Sequence, residues 1–164
     1  MIKNIIFDLN KVIVTYEGHP DKDLMDNEFM QIAGMTQDEF WKTAKKYFDE
    51  YNRGKTTMVE LLASACRELG IDSSKAEQLK KIHDKSFIFV PGIQEILESL
   101  SKHYYMILYA GDGLESFNLK VDNFSLRDYF HKIYATCFEN TNKADSSIYK
   151  KILDENNLKA EETL

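Results

Sequence analysis

The most distinctive hydrophobic pattern in the chain is a short apolar run, Ile5-Ile6-Phe7, which is followed at once by the carboxylate Asp8. An apolar run of this kind predicts a buried strand. Ligands of open parallel α/β sheets bind just beyond the carboxyl ends of the strands, which makes Asp8 a candidate functional residue. Asp is also a common turn residue, so the strand pattern alone leaves both interpretations open.

The pattern changes to helical spacing between residues 27 and 85. Two capping boxes, at residues 36–39 (Thr-Gln-Asp-Glu) and 57–60 (Thr-Met-Val-Glu), each predict a helix start, because the Thr hydroxyl and the Glu side chain bond each other's backbone N–H groups. Shorter helices are predicted before the first box and after residue 74. About four consecutive helices with short loops are typical of a small helix bundle.

Strand and helix patterns alternate in the second half of the chain. Residues 104–109 (Tyr-Tyr-Met-Ile-Leu-Tyr) predict a second buried strand, which ends in a loop whose glycines allow backbone N–H groups to approach a ligand. A helix, a strand and a further helix are predicted at about residues 114–121, 132–136 and 148–155. Such alternation favours a parallel sheet with crossover helices.

These patterns together predict an α/β protein with an insertion. Residues 1–14 and 88–164 would form the core, and residues 15–87 would form a helical cap inserted after the first strand. A chain of 164 residues is long enough to bury a substantial core without disulfides or a structural metal.

Composition narrows the classes of partner. The net charge of −6 and the absence of a basic stripe argue against nucleic acid, and no apolar run is long enough for a membrane span or a signal peptide. A phosphorylated ligand would have to be bound by local donors. Cys66 and Cys137 have neither metal-type spacing nor a disulfide framework, which predicts a cytoplasmic location.

Several segments, in this order, resemble the motifs of the haloacid dehalogenase superfamily, in particular its members with a small helical cap after the first motif. They are residues 7–14 (Phe-Asp-Leu-Asn-Lys-Val-Ile-Val), 51–57, 90–93 (Val-Pro-Gly-Ile), 106–111 and 143–149 (Lys-Ala-Asp-Ser-Ser-Ile-Tyr). The resemblance implies a Rossmann-like parallel sheet flanked by helices, with a four-helix-bundle cap, and a phosphatase-type hydrolase.

The resemblance also implies a role for individual residues. Asp8 would be the nucleophile that forms an aspartyl-phosphate, and Lys143 would anchor the phosphoryl oxygens of a small phosphorylated metabolite. Lys11 replaces the usual glycine, and is either a solvated surface charge or a cation acting beside Asp8. Further substrate-binding groups would come from the second motif, at Tyr109, Ala110 and Gly111.

The sequence departs from the family pattern at position 10. The second catalytic aspartate is replaced by Asn10, whose amide cannot exchange a proton at neutral pH. General acid–base catalysis typically contributes about 10²–10⁴-fold, so little turnover is expected. The hydroxyl residue of the second motif is also replaced, since its place falls on Tyr109 or Ala110.

The expected cofactor is Mg²⁺, held by Asp8 and the backbone carbonyl of Asn10. Residues 162–164 resemble the start of the strand that leads to the acidic fourth motif, and the chain stops before those carboxylates. Asp112 is the only nearby acidic residue available, so the Mg²⁺ site is expected to be incomplete. The outer edge of the first strand is expected to be open, and a second copy of the chain could cover it.

The sequence leaves three functions open. The first is a weak or inactive phosphatase with Asp8, Asn10 and Lys143 at the catalytic positions. The second is a non-catalytic protein that binds a phosphorylated ligand or another protein. The third and least favoured is a metal-free haloacid dehalogenase, because such enzymes usually have Tyr at position 10 and only Arg53 is available to bind a substrate carboxylate.

Overall fold

Five strands form two sheets in the structure, a computed structural model that describes residues 1–164. They are β1 (Asn4–Phe7), β2 (Val14–Thr15), β3 (Ile88–Phe89), β4 (Tyr105–Ala110) and β5 (Lys132–Ala135). The main sheet is parallel and has the order β1-β4-β5, with Ile6 opposite Ile107 and Ile107 opposite Lys132. The central strand, β4, is buried from Met106 to Ala110, as expected for a parallel strand covered on both faces.

Nine α-helices surround these strands. They are α1 (Lys22–Ala33), α2 (Gln37–Ala44), α3 (Phe48–Asn52), α4 (Met58–Glu68), α5 (Ala76–Lys85), α6 (Ile93–Leu100), α7 (Leu114–Asn123), α8 (Thr136–Glu139) and α9 (Ser147–Glu155). Both predicted capping boxes are formed, at the starts of α2 and α4. No helix has both the length and the apolar character that crossing a membrane requires.

The inserted segment contains five helices where the pattern predicted about four. The difference arises between α2 and α3, where the chain tightens into a 3₁₀ turn at Lys45–Tyr47 instead of continuing as one helix. Helices α1–α5 pack around a core of their own, which includes Phe29, Phe40, Leu62 and Leu79. The insertion therefore has its own hydrophobic core.

The chain leaves the sheet and returns to it through the antiparallel pair β2–β3, in which Val14 lies opposite Phe89 and Thr15 opposite Ile88. The predicted boundaries, 14/15 and 87/88, fall within or beside this pair. We propose that residues 15–87 form the cap and that residues 1–14 and 88–164 form the core.

Alternate residues of β4 pack on opposite faces of the sheet. Met106, Leu108 and Ala110 face the core that includes α6 and α7, whereas Ile107 and Tyr109 pack with Ile148 and Ile152 of α9. This follows from the two-residue period of a strand. The alternation decides which side chains at the end of β4 can approach the site.

We expected the outer edge of β1 to be open, and this expectation is wrong, because residues at the end of the chain pair with that edge. Thr163 forms a parallel bridge with Asn4, the Leu164 N–H donates to the Asn4 carbonyl at 3.0 Å, and the Ile6 N–H donates to the Leu164 carbonyl at 2.8 Å. Residues 162–164 thus cover this part of the edge, because the chain after α9 turns back along β1.

Gly113 lies where an inserted helix packs closely against the sheet domain. A Cβ atom at Gly113 would lie 2.2 Å from Cζ of Tyr51, whose side chain comes from α3. Gly113→Ala should therefore lower the free energy of unfolding by about 1–3 kcal/mol, the usual cost of overpacking. Urea unfolding monitored by circular dichroism measures this.

The matched control for Gly113→Ala is the double variant Tyr51→Leu/Gly113→Ala. It should lose less stability than the sum of the two single variants, because the smaller side chain makes room for the new methyl group. An unchanged unfolding midpoint for Gly113→Ala, or strictly additive losses, would contradict the contact.

Candidate active site

Asp8 and Lys143 form an ion pair at the carboxyl end of β1. Lys143 lies in the loop between α8 and α9, and its Nζ contacts Oδ1 of Asp8. The same Oδ1 accepts a hydrogen bond from the Leu9 N–H at 2.6 Å. The Asp8 side chain is 42% exposed and the Lys143 side chain 33%, so an anion in solution can reach both. The pair combines an accessible carboxylate with a cation that can bind anionic oxygens.

Asn10 belongs to a second group of polar side chains, which we call the Lys120 cluster: Lys120, Asp112 and Asn10. The Lys120 ammonium donates to Oδ1 of Asn10 at 2.8 Å and to Oδ2 of Asp112 at 2.7 Å. The side chains of Lys120 and Asp112 are only 4% and 7% exposed. The Asn10 amide nitrogen donates to the Gly111 carbonyl at 3.3 Å.

A neutral amide suits this position in the cluster. Its oxygen faces the Lys120 ammonium and its nitrogen faces acceptors, so both ends of the Asn10 amide are used. One buried cation and one buried carboxylate already balance each other. A carboxylate at position 10 would add a second negative charge beside Asp112, which is costly where water is excluded.

Further hydrogen bonds hold Asp112 in place. Its Oδ1 accepts from the Gly113 N–H at 3.0 Å, and its own N–H donates to the Thr136 hydroxyl at 3.2 Å. That hydroxyl donates in turn to the Asn52 carbonyl at the end of α3, at 2.8 Å. Asp112 is therefore committed to the loop after β4 and to Lys120.

The residues predicted from the second motif lie in three different environments. Tyr109 faces α9, where its ring contacts Tyr149 edge-on and its hydroxyl is buried without a partner. Burial, with Tyr149 nearby, raises the pKa of Tyr109 to about 12. Ala110 is fully buried on the opposite face of the sheet. Gly111 lies against the Lys143 stem, since a Cβ there would be 3.3 Å from its Cδ.

Lys11 directly follows Asn10 in the sequence and has an unusual backbone conformation. Its φ of 66° lies in the left-handed region that glycine adopts without strain, which agrees with the glycine usual at this position of the motif. The side chain is exposed and forms no ion pair. Lys11 is thus not in direct contact with Asp8.

Lys120 was not singled out from the sequence, because a lysine in a helix is ordinarily a solvated charge. A local signal was nevertheless present. Lys120 lies three residues after Phe117 and directly before Val121, and both of these apolar side chains are buried. A lysine on the apolar stripe of a helix must find a partner in the interior.

The residues present do not fit a resident Mg²⁺. Asp8 and the Asn10 carbonyl supply only two protein oxygens, and the Asp112 carboxylate is bound by Lys120 and Gly113. Residues 1–164 contain no group of three or more His, Cys, Asp or Glu side chains that could hold a metal ion. Mg²⁺ takes much of its octahedron from water but is ordinarily held by free carboxylates, and Asp8, the one carboxylate left, is paired with Lys143, so no chemical step is assigned to the ion.

A sequence profile described as haloacid dehalogenase-like hydrolase matches residues 5–164. The chain belongs to the haloacid dehalogenase-like hydrolase family. Comparison with curated protein sequences gives no match.

Solved structures of the family share the fold. The wild-type HAD family enzyme bt-2542 from Bacteroides thetaiotaomicron, in complex with magnesium and inorganic phosphate, is 19% identical with a TM-score of 0.73, over 99% of this chain and 83% of that one. The L-2-haloacid dehalogenase from Xanthobacter autotrophicus is 14% identical with a TM-score of 0.72, over 99% and 68%. The 2-haloacid dehalogenase from Pseudomonas syringae is 18% identical with a TM-score of 0.64, over 99% and 76%.

The Lys120 cluster makes a direct prediction about stability. Lys120→Met leaves Asp112 buried without its cation, and breaking a buried ion pair typically costs about 3–5 kcal/mol. The free energy of unfolding should fall by that amount in urea at pH 7. Lys150→Met, an exposed lysine of α9, is the control and should leave the unfolding midpoint nearly unchanged.

The double variant Lys120→Met/Asp112→Asn separates the charge from the packing. It should be more stable than Lys120→Met alone, because no unpaired charge remains in the interior. A Lys120→Met protein as stable as the unmodified chain would show that the ion pair is not buried as described.

Proposed function

We propose that this chain is a phosphatase-type hydrolase of low turnover, which acts on a small phosphorylated metabolite through an aspartyl-phosphate on Asp8. The observation that carries the proposal is the Asp8–Lys143 ion pair at the carboxyl end of β1. A phosphoryl group entering the site would take over the Lys143 ammonium from Asp8. That exchange frees the carboxylate to attack while the lysine neutralises the phosphoryl oxygens.

The first chemical step lacks an acid. An Asp8 carboxylate oxygen forms a bond to phosphorus, the bond from phosphorus to the leaving group breaks, and the leaving oxygen keeps the electron pair. That oxygen must then gain a proton or be stable as an anion. Asn10 has no acidic proton to give, so the step favours leaving groups of low pKa, such as aryl and acyl phosphates.

The second step lacks a base. Water must attack the phosphorus of the aspartyl-phosphate, so that inorganic phosphate leaves and the Asp8 carboxylate is restored. The amide of Asn10 cannot take a proton from that water, and it is already bonded to Lys120 and Gly111. The phosphorylated Asp8 is therefore long-lived, and turnover is slow because this step limits it.

The proposal predicts that a covalent phosphoenzyme accumulates. After incubation with 4-nitrophenyl phosphate or acetyl phosphate, intact-mass spectrometry should show one added phosphoryl group, and peptide mapping should place it on Asp8. Release of inorganic phosphate should be much slower than formation of the adduct, because the hydrolysis step has no base.

Two variants make this measurement decisive. Asp8→Asn should form no adduct, whereas Asp128→Asn, which changes an exposed carboxylate elsewhere, should behave as the unmodified chain. An adduct that persists in Asp8→Asn would remove Asp8 from the mechanism. Fast, steady release of phosphate by the unmodified chain would show that another group supplies the missing acid and base.

A second candidate function is non-catalytic binding of a phosphorylated ligand. The observation that favours it is the Asn10 amide, which is hydrogen-bonded at both ends and unavailable for proton transfer. In this case inorganic phosphate would raise the melting temperature, Lys143→Ala would abolish the increase, and no adduct would form with either substrate.

Haloacid dehalogenation is the third candidate, because two of the similar structures are haloacid dehalogenases. Arg53, the one arginine offered for binding a substrate carboxylate, is paired with Asp49, with its Nε 3.0 Å from Oδ2. The Asp8–Lys143 site therefore fits phosphate better. Chloride release from 2-chloropropionate would favour dehalogenation instead.

A further inference from the structure

A large cavity lies between the inserted helices and the loop that follows β1. Its volume is about 840 Å³, and it is lined by residues of α1, α2 and α5 together with Lys11 and Phe87. Cavities of roughly 300–1,000 Å³ are the size that small-molecule ligands occupy. We call it the cap cavity, and none of its lining residues takes part in the proposed reaction.

One wall of the cap cavity is aromatic. Trp41 stacks on Phe48 with ring centroids 5.9 Å apart and planes at 26°, and it contacts His83 at 5.8 Å. His83 meets Phe87 edge-on at 4.9 Å. These four rings line the cavity and are only half-buried. A continuous aromatic wall that remains accessible is suited to a planar, apolar group, which can stack on it or meet it edge-on.

The charges at the cap cavity favour an anion. Three of its lysines, Lys11, Lys42 and Lys45, form no ion pair, whereas Lys22 is neutralised by Asp26. Glu17 and Asp38 are the remaining acidic residues in the lining. The unpaired groups therefore carry an excess of positive charge in a protein that is negative overall.

The cap cavity leads toward the active site through a smaller one of about 240 Å³. Both are lined by Lys11, Tyr16, Phe48, His83 and Phe87, and the smaller one continues to Asn10, Gly111 and the Lys120 cluster. The Lys120 Nζ lies 4.1 Å from the centre of the Phe87 ring. A Cβ atom at Gly111 would lie 3.3 Å from Cδ of Lys143, so the smaller cavity ends beside the stem of the lysine that pairs with Asp8.

The smaller cavity also contains an unused hydrogen-bonding group. The Ser116 side chain is 2% exposed and its hydroxyl has no partner, although this residue lines the cavity. A buried hydroxyl without a partner is costly unless a ligand or a water molecule bonds to it. Ser116 therefore supports occupation of this path by a ligand with polar atoms near its phosphoryl end.

We propose that the cap cavity binds a planar aromatic ring, and that the ligand of this protein is an aromatic phosphate whose phosphoryl group lies at Asp8 and Lys143. The assignment rests on the proposed function for its phosphoryl end only. An aryl leaving group also agrees with the absence of an acid at position 10, because a phenolate leaves without prior protonation.

The single tryptophan makes the assignment directly measurable. Trp41 is the only tryptophan in the chain and lines the cap cavity, so its fluorescence reports on a ring bound there. Phenyl phosphate and cyclohexyl phosphate differ in the planarity of the ring and share the phosphoryl group. To keep the ligands intact, the titrations use Asp8→Asn.

The expected result is that phenyl phosphate changes the Trp41 fluorescence and binds at least tenfold more tightly than cyclohexyl phosphate. Inorganic phosphate should bind without a comparable change in fluorescence. Equal affinities for the two esters, or phenyl phosphate binding without a fluorescence change, would overturn the assignment. This comparison needs no variant of the cavity itself.

Variants of the cap cavity test whether the preference for the phenyl ester arises there. Phe48→Leu should reduce the preference for the phenyl ester to less than threefold while leaving the affinity for inorganic phosphate unchanged. Phe124→Leu is the matched control, because that ring packs against Phe89 and does not line the cavity, and it should retain the full preference. Loss of the preference in both variants would contradict a specific ring site.

The two proposals fail in different ways. If phenyl phosphate is preferred but the unmodified chain never forms an adduct on Asp8, the ring site stands and the reaction is wrong. If phenyl phosphate phosphorylates Asp8 but binds no more tightly than cyclohexyl phosphate, the reaction stands and the ring site is wrong. Lys143→Ala should weaken both esters by the same factor, because only their shared phosphoryl group contacts that lysine.

Discussion

The buried ammonium of Lys120 is the constraint on which the rest of this site depends. A charge in the interior is tolerated only when it is paired and hydrogen-bonded. Lys120 satisfies this requirement by contacting Asp112 in the loop after β4 and Asn10 in the loop after β1. It thereby ties together the two loops that carry the candidate nucleophile and line the path to the cap cavity.

The same constraint accounts for the chemistry proposed. A cluster with one cation and one carboxylate is neutral, and the amide of Asn10 completes its hydrogen bonds without adding charge. Asp8 and Lys143 lie outside this cluster, at a more exposed position. In the proposed reaction, Asp8 can therefore still attack phosphorus. No side chain at position 10 can give a proton to the leaving group or take one from water.

Several elements could be predicted from the sequence because their signals are local. The apolar run before Asp8 and the β4 segment reflect burial of a strand on both faces, and the two capping boxes depend only on residues three positions apart. The approach of Lys143 to Asp8 came from resemblance to a family, because no local pattern relates residues so distant in the chain.

The remaining features depend on tertiary contacts. Tyr109 and Ala110 point to opposite faces of the sheet because side chains alternate along a strand. The face on which α9 packs is set by the path of the chain. The return of residues 162–164 along β1 and the partners of Lys120 likewise arise from elements brought together only in the fold. The position of a lysine on the apolar stripe of a helix indicates that its side chain is buried, but it does not indicate which groups the ammonium contacts.

The central claim is that position 10 contributes no proton to the reaction, and the dependence of the rate on the leaving group tests it most directly. Rates of phosphorylation of Asp8 would be measured with a series of substituted phenyl phosphates, in the unmodified chain and in Asn10→Asp. We expect a steep fall in rate as the pKa of the leaving phenol rises, and a shallower fall in Asn10→Asp, where a carboxyl group can protonate the leaving oxygen. A shallow dependence in the unmodified chain would contradict the account, because it would mean that another group already supplies that proton.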